Sequence, residues 1–236
     1  MRGRQLAAPA RGRPLARPVR GGSLARPVRG RPLAGPAVLA VAYITGSLPF
    51  SNLVAGCTRG VDLREVGSGT VSGTGLYQVA GFVPLAIAGS LDLAKGAIGT
   101  VLAGSSRRSL RSAAAGMVVA GHNWSPFLSG AGGRGLAPAL GATLALAPEA
   151  TAVLGIGLGG GRLIRRTGAG CFWATLALFP VLAATRGRPG VLDAGAIVVP
   201  LLAKRLLGNE LPLEPSLGVF LNRLVLDRDE PALIPT

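Results

Sequence analysis

Gly121-His-Asn-Trp-Ser-Pro-Phe-Leu-Ser-Gly-Ala-Gly-Gly-Arg-Gly-Leu-Ala-Pro138 lies between two apolar runs. It holds the chain's only histidine, His122, one of its two tryptophans, and a Gly-Gly-Arg-Gly turn at 132–135. One apolar segment ends in hydrogen-bonding residues, a glycine loop presents a single guanidinium, and a new apolar segment begins. Glycines let successive N–H groups curl around an anion, and arginine adds a bidentate donor for phosphate. The stretch predicts membrane helices joined by loops that hold a phosphate-bearing substrate at the membrane surface.

Composition agrees with that class. The chain is 49% hydrophobic and only 15% charged, with a mean hydropathy of +0.47, too apolar for an ordinary soluble domain of this length. Many of the 37 glycines fall inside apolar runs, which suits helices packed closely in lipid. The formal charge of +15 is concentrated at one end: residues 1–35 carry nine arginines and no acid. Removing nine leaves +6 on the rest, and no nucleic-acid-binding module accompanies the basic tail, so no nucleic acid is expected as partner. Cys57 and Cys171 stand far apart, and with one histidine a His/Cys metal cluster is not available. No metal and no cofactor is expected.

Along the chain, residues 1–35 form an Arg/Pro/Gly-rich tail with a near-repeat, Leu15-Ala-Arg-Pro-Val-Arg-Gly21 and Leu24-Ala-Arg-Pro-Val-Arg-Gly30. Such a composition cannot build a core, so the tail is expected to be disordered, or to precede a true start near Val38. Residues 36–207 form the membrane domain, with apolar segments expected at 37–57, 76–103, 113–127, 135–147, 149–163, 167–185 and 190–207. The fourth and fifth are shorter than the ~20 residues of a full crossing and are expected as a tight hairpin of short helices. Residues 208–236 are a polar tail with an interfacial helix expected at 217–226. The fold class is thus all-α, a polytopic helical membrane protein with about seven transmembrane helices. Basic residues in the short loops, eight against five, put both glycine-rich loops in the cytoplasm, although the nine tail arginines would reverse that balance.

Four places carry candidate chemistry. The loop Gly67-Ser-Gly-Thr-Val-Ser-Gly-Thr-Gly75 offers N–H groups and hydroxyls to a phosphate, or is a flexible connector. It lacks the Gly-Lys-Ser/Thr ending of a Walker A loop. His122 and Asn123, at the end of the third segment, can do acid–base work or anchor a helix end. Asp92 and Lys95, at i and i+3 in an apolar helix, form a structural or a functional ion pair. Arg134, in its glycine turn, supplies positive charge.

These residues resemble the bacterial acyl-phosphate:glycerol-3-phosphate acyltransferases of the inner membrane. Gly46-Ser-Leu-Pro-Phe50 is similar to that family's G-S-I-P-F, and Asp62-Leu-Arg-Glu-Val-Gly-Ser-Gly69 to its D-I-R-x-x-G-S-G. Asp92-Leu-Ala-Lys-Gly96 resembles D-L-L-K-G, and the 121–135 stretch resembles G-H-x-x-P-x-F followed by G-G-K-G. The resemblance covers most of the chain after residue 37. It implies a multi-pass enzyme of the plasma (inner) membrane that makes lysophosphatidic acid from glycerol 3-phosphate and acyl phosphate, without cofactor. Its partners would be membrane lipids and a soluble enzyme that produces acyl phosphate.

Carried over by position, the resemblance implies Ser68 and Arg134 as catalytic residues. Gly67, Gly69, Thr70, Thr74, Gly132, Gly133 and Gly135 would bind substrate phosphate, supported by Ser47, Asp92, Lys95, His122, Asn123 and Asn209. Departures from the family pattern are substantial. Thr70, Ser72, Gly73 and Gly75 replace the family's Asn, Gly, Ala and Asn, and Gln78 stands at an arginine position. Pro138 replaces a threonine, and Leu206 falls on the histidine of a C-terminal R-H-R-x-N pattern echoed by Arg205 and Asn209. The alternative is a relative that binds phosphorylated lipid precursors, or partners a lipid enzyme, without catalysis. A small transporter is a third reading, against which stands the lack of paired broken helices in two halves.

Overall fold

The computed structural model describes residues 34–67, 69–104, 107–209, 212 and 215–227, all within a single packed unit. The expected tail, up to residue 33, and Ser68 lie outside the described residues. Among those described, the regular structure is helical throughout: α1 (Gly35–Ser47), α2 (Phe50–Arg59), α3 (Gly73–Ala80), α4 (Phe82–Val101), α5 (Arg108–Asn123), α6 (Leu136–Leu146), α7 (Pro148–Leu163), α8 (Thr167–Arg186), α9 (Arg188–Leu207) and α10 (Leu217–Leu226). Two 3₁₀ turns, Leu63–Glu65 and Pro126–Leu128, shape the loops.

Helix ends follow from glycine and proline chemistry. Pro49 has no N–H to donate, and the first apolar segment breaks there into α1 and α2. The expected single helix at 76–103 is instead two. Gly81 adopts φ 84° and ψ −167°, a conformation closed to other residues, so it ends α3 and starts α4. Pro84 then falls in the first turn of α4, where a missing N–H costs no helical bond. The third segment also shifts: α5 begins at Arg108 and ends at Asn123, and Pro126 carries the chain into a 3₁₀ turn rather than more helix. The short pair α6 and α7 meets at Ala147-Pro148, as expected. Among the described residues, three segments are long and apolar enough to cross a membrane by length and composition: Gly35–Arg59, Phe82–Val101 and Thr167–Arg186.

The helices approach one another through small residues. A methyl group built on Gly46 would strike the Val118 carbonyl, and one on Gly121 would strike the Tyr43 carbonyl, so α1 and α5 touch backbone to backbone. The α4–α6 crossing repeats this with Gly96 against Pro138 and Gly141 against Leu93. Close contact of this kind drives association where burying apolar surface gains nothing, since the surroundings are as apolar as the side chains. The outside is accordingly greasy: Leu163 is 87% exposed and Ile156 73%. Polarity is turned inward, with Asp92, Lys95, Asp193, Lys204, Arg205 and Arg223 all buried. At the end of the bundle away from the glycine loops, Asp193 accepts from Arg108 (3.0 Å) and Ser112, joining α5 to α9. Arg186 pairs with Glu149 and donates to the Leu146 carbonyl (2.8 Å), closing α8 onto the α6–α7 corner.

These contacts predict a contrast between two glycines. Gly141→Ala forces its methyl onto the Leu93 carbonyl and should lower stability by about 3 kcal/mol. Gly155→Ala, whose methyl meets nothing within 4 Å, should be neutral or stabilise by up to about 1 kcal/mol. Thermal midpoints of the two variants in detergent test this, and equal midpoints would refute the close-contact account.

Candidate functional site

A buried polar cluster sits beside the α1–α2 break. Asp92 and Lys95 point inward from α4, each 3% exposed, with Lys95 Nζ 2.8 Å from Asp92 Oδ1. The break turns the Leu48 carbonyl toward them, and Lys95 donates to it at 2.6 Å. Ser51, from the first turn of α2, donates to Asp92 Oδ2 at 3.4 Å. The same ammonium lies 3.0 Å from His122 Nδ1 and 5.5 Å from the centroid of the Phe50 ring. An ammonium only donates, so Nδ1 is assigned as the accepting nitrogen and Nε2 as the one that carries the proton. The face of His122 that carries Nε2 meets the backbone of Gly133. A small open pocket lies here, lined among others by Ser47, Pro49, Ser51, His122, Gly132 and Gly133.

The 130–135 loop is folded tightly onto the end of α5. Gly133 N donates to the His122 carbonyl at 3.2 Å, and Ser125 N donates to Ala131 O at 3.0 Å. A side chain on Gly132 would collide with the carbonyls of His122 and Asn123, and one on Gly133 with the His122 ring and the Val71 carbonyl. These two glycines therefore permit close approach, and their amides bond within the protein. Gly135, at φ 75°, starts α6 and packs over the Asn123 side chain. Asn123 in turn donates to the Pro200 carbonyl at 2.7 Å, tying α5 to α9.

Asn209 joins the two glycine-rich loops. Its Nδ2 donates to the Gly69 carbonyl (3.0 Å) and the Gly132 carbonyl (3.2 Å). Its Oδ1 accepts from Gly132 N (3.1 Å) and from Lys204 Nζ (2.6 Å). The expected loop 67–75 is shorter than its sequence suggested, because Gly73–Gly75 form the first turn of α3 behind the Ser72 cap. One amide just past α9 holds what remains of it against loop 130–135 at one end of the bundle. Loop 67–75 is braced at its start as well. Asp62 accepts from the Arg64 backbone (2.9 Å) and side chain (2.6 Å), and Asn52 Oδ1 accepts from Leu63 N (2.8 Å). The Arg64 side-chain bonds, with its backbone N–H next, hold the Asp62 carboxyl down at about 2. That brace is complete above the ordinary carboxylate value of 3.8 and is lost only as pH falls through about 2.

Arg134 faces the same end. Its Nη1 donates to the Lys204 carbonyl at 3.3 Å and its Nε lies 3.0 Å from Asp227 Oδ1. Two residues here were not assigned to the site from the sequence. Lys204, 1% exposed, lies 5.4 Å over the Trp124 ring and orients Asn209. A lysine in the last turn of an apolar helix, five residues before Asn209, was the available signal. Asp227 gave no signal, because only the return of α10 brings it to Arg134.

The expected site residues divide in space. Gly69, Gly132, Gly133, Arg134 and Asn209 come together through the bonds given above. Ser47, Asp92, Lys95 and His122 form the adjoining buried cluster, where Ser47 O accepts from Ser125 Oγ at 2.6 Å. Gly67 and Thr74 are exposed, Thr70 is half-buried, and Gln78 is exposed on α3. Arg205 turns away from the loops to the carbonyls of Gly168 (3.0 Å) and Leu224 (2.9 Å).

Comparison with known proteins bears on most of the chain after the basic tail. Residues 36–207 match the glycerol-3-phosphate acyltransferase family. A glycerol-3-phosphate acyltransferase of Thermus thermophilus is 39% identical over 154 residues, covering 64% of this chain and 76% of its own. Glycerol-3-phosphate acyltransferase 5 of Dehalococcoides mccartyi is 32% identical over 207 residues, 81% of this chain and 88% of its own. Among solved structures, the integral membrane glycerol 3-phosphate acyltransferase PlsY (YgiH), in its glycerol 3-phosphate form, superposes with a TM-score of 0.64. It is 27% identical, and the match covers 75% of this chain and 94% of that one. The helical bundle described above is therefore an integral membrane fold, and the chain belongs to the glycerol-3-phosphate acyltransferase family.

Proposed function

We propose that this protein transfers an acyl group from acyl phosphate to glycerol 3-phosphate, giving lysophosphatidic acid for phospholipid biosynthesis. The observation that carries this reading is the Asn209 bridge, which gathers two glycine-rich loops and the cations Arg134 and Lys204 at one end of a membrane bundle. Two phosphates must meet there, one on each substrate. Loop 67–75, with Ser68, Gly69 and Thr70, would take the acceptor phosphate, and Arg134 with the 132–135 turn would take the acyl phosphate. Transfer forms a carbon–oxygen ester bond from the glycerol hydroxyl and breaks the acyl–phosphate bond, the hydroxyl proton leaving with the released phosphate. The departing phosphate is a good leaving group, so positioning and preorganised positive charge supply most of the acceleration.

Ser68 would orient substrate rather than form a covalent intermediate. The Asp92–Lys95–His122 cluster, internally paired, would hold the α1–α2 break and the end of α5 in register beneath the loops. The active end would face the cytoplasm across about seven crossings of the plasma membrane, where a soluble enzyme would supply acyl phosphate. The binding-only alternative is not favoured, because the relatives matched over this region are acyltransferases.

The test is acyl transfer by purified protein in proteoliposomes, given acyl phosphate and radiolabelled glycerol 3-phosphate. Labelled lysophosphatidic acid is expected, and well-folded protein that yields none would overturn the proposal. Arg134→Ala should reduce turnover about 10²- to 10³-fold while leaving the thermal midpoint near that of the parent. Arg134→Lys, which keeps the charge, should recover most of that loss.

Asn209→Ala separates the bridge from the charge. It removes the link between the loops and leaves Arg134 in place. The Michaelis constant for glycerol 3-phosphate should rise about tenfold or more, and the stability loss should be about 1–3 kcal/mol. An unchanged Michaelis constant would sink the bridging role.

A further inference from the structure

The cation assigned to substrate phosphate already faces an anion of the protein's own. Arg134 Nε is 3.0 Å from Asp227 Oδ1, an ion pair in which that oxygen is buried and accepts no hydrogen bond, and Arg134 Nη1 donates to the Lys204 carbonyl at 3.3 Å. Asp227 reaches this position because α10 is fixed from several directions. Ser216 caps its first turn, its Oγ accepting from Val219 N at 3.3 Å. Arg223 is buried and donates to the Leu206 and Leu207 carbonyls at the end of α9. Arg205 reaches back from α9 to the Leu224 carbonyl at 2.9 Å. Gly168 of α8 lies so close to the Leu226 carbonyl that no side chain fits between them. Asp227 itself adopts φ 58°, in the left-handed region, and ends the helix with its N–H on Asn222 O. The helix is thereby docked with its carboxylate against the guanidinium.

A carboxylate and a phosphate ask the same thing of an arginine: two N–H groups in one plane. Asp227 occupies the side of the guanidinium that a phosphate would pair with, and its charge competes there although it is not hydrogen-bonded. The geometry points to Asp227 as a tethered competitor for substrate phosphate, with α10 as the latch that delivers it. Substrate binding is then an exchange. The phosphate dianion displaces Asp227 from Arg134, and α10 loosens from the α8–α9 surface as it does so. A tethered carboxylate acts at an effective concentration of about millimolar, so phosphate affinity is set by how firmly α10 docks. The empty site keeps its cation neutralised at the membrane surface, and weak anions are turned away unless they outcompete the tether.

This inference rests on Arg134 as the phosphate-binding cation of the proposed function, and the experiment separates the two. Binding of inorganic phosphate and of glycerol 3-phosphate is measured by calorimetry on the full chain in detergent, without acyl donor, for parent, Asp227→Asn and Arg134→Ala. Asp227→Asn should bind both ligands about fivefold more tightly, the size expected when a part-exposed ion pair no longer competes. Arg134→Ala should lose phosphate binding. Hydrogen exchange of the α10 amides in the parent should rise on adding phosphate, toward the level of ligand-free Asp227→Asn. If Asp227 only positions Arg134 for use, Asp227→Asn will bind phosphate more weakly, and the competitor role is overturned. Unchanged affinity in Asp227→Asn with loss in Arg134→Ala overturns the latch alone. Phosphate affinity that survives Arg134→Ala overturns the reading of Arg134 itself.

Discussion

Lys95 puts an ammonium group into the middle of an apolar helix, and the surrounding architecture is arranged to make that tolerable. In hydrocarbon no water is at hand to solvate such a charge, so its partners must come from the chain. Asp92, one turn back on α4, supplies the opposite charge, and the Leu48 carbonyl supplies an acceptor. That carbonyl points inward only because α1 and α2 separate at Pro49. His122 fills the remaining direction from the end of α5. The α1–α2 break, α4 and α5 are thus held in one relation by the need to satisfy a single cation. The break and the end of α5 also line the pocket beneath the glycine loops.

The glycines do two different jobs that look alike in sequence. Gly46, Gly96, Gly121 and Gly141 let helix backbones touch, and this close packing brings Lys95 of α4 and His122 of α5 together. Gly132 and Gly133 apply the same steric logic to a loop, seating it against the end of α5 and the Val71 carbonyl. Their amides are bonded to Asn209 and His122, so the turn in this state is a packed corner more than an open cradle. A phosphate entering here meets a surface whose shape is set by what glycine omits.

Much of this was legible in the sequence, for local reasons. Pro49 within an apolar run, a charge pair at i and i+3, and glycine punctuation between apolar segments all act over a few residues, and each appears where it was expected. The division at Gly81 was missed because hydropathy runs through it unchanged; only the backbone angles of one glycine separate α3 from α4. Asn209 was identified by pattern, but its bonds to Gly69 and Gly132 span 140 and 77 residues and belong to the tertiary fold. Lys204 and Asp227 escaped for the same reason. A lysine at a helix end and an aspartate after a short amphipathic helix are ordinary in isolation, and their meaning comes from which element folds back over the loops.

The cations that surround the glycine loops are already answered from within. Arg64 has Asp62, Arg134 has Asp227, Lys204 has Asn209, and Arg205 and Arg223 have helix-end carbonyls. An anionic substrate therefore gains the difference between its own bonds and those it replaces, which is a far smaller quantity than the sum of its contacts. These partners are not equally hard to displace. The carbonyls of Leu206 and Leu207 that take Arg223 belong to the end of α9, whereas Asp227 follows the docked ten-residue helix α10. Exchange at Arg134, as proposed, would act at the C-terminal edge of the site rather than in the tightly packed 130–135 turn.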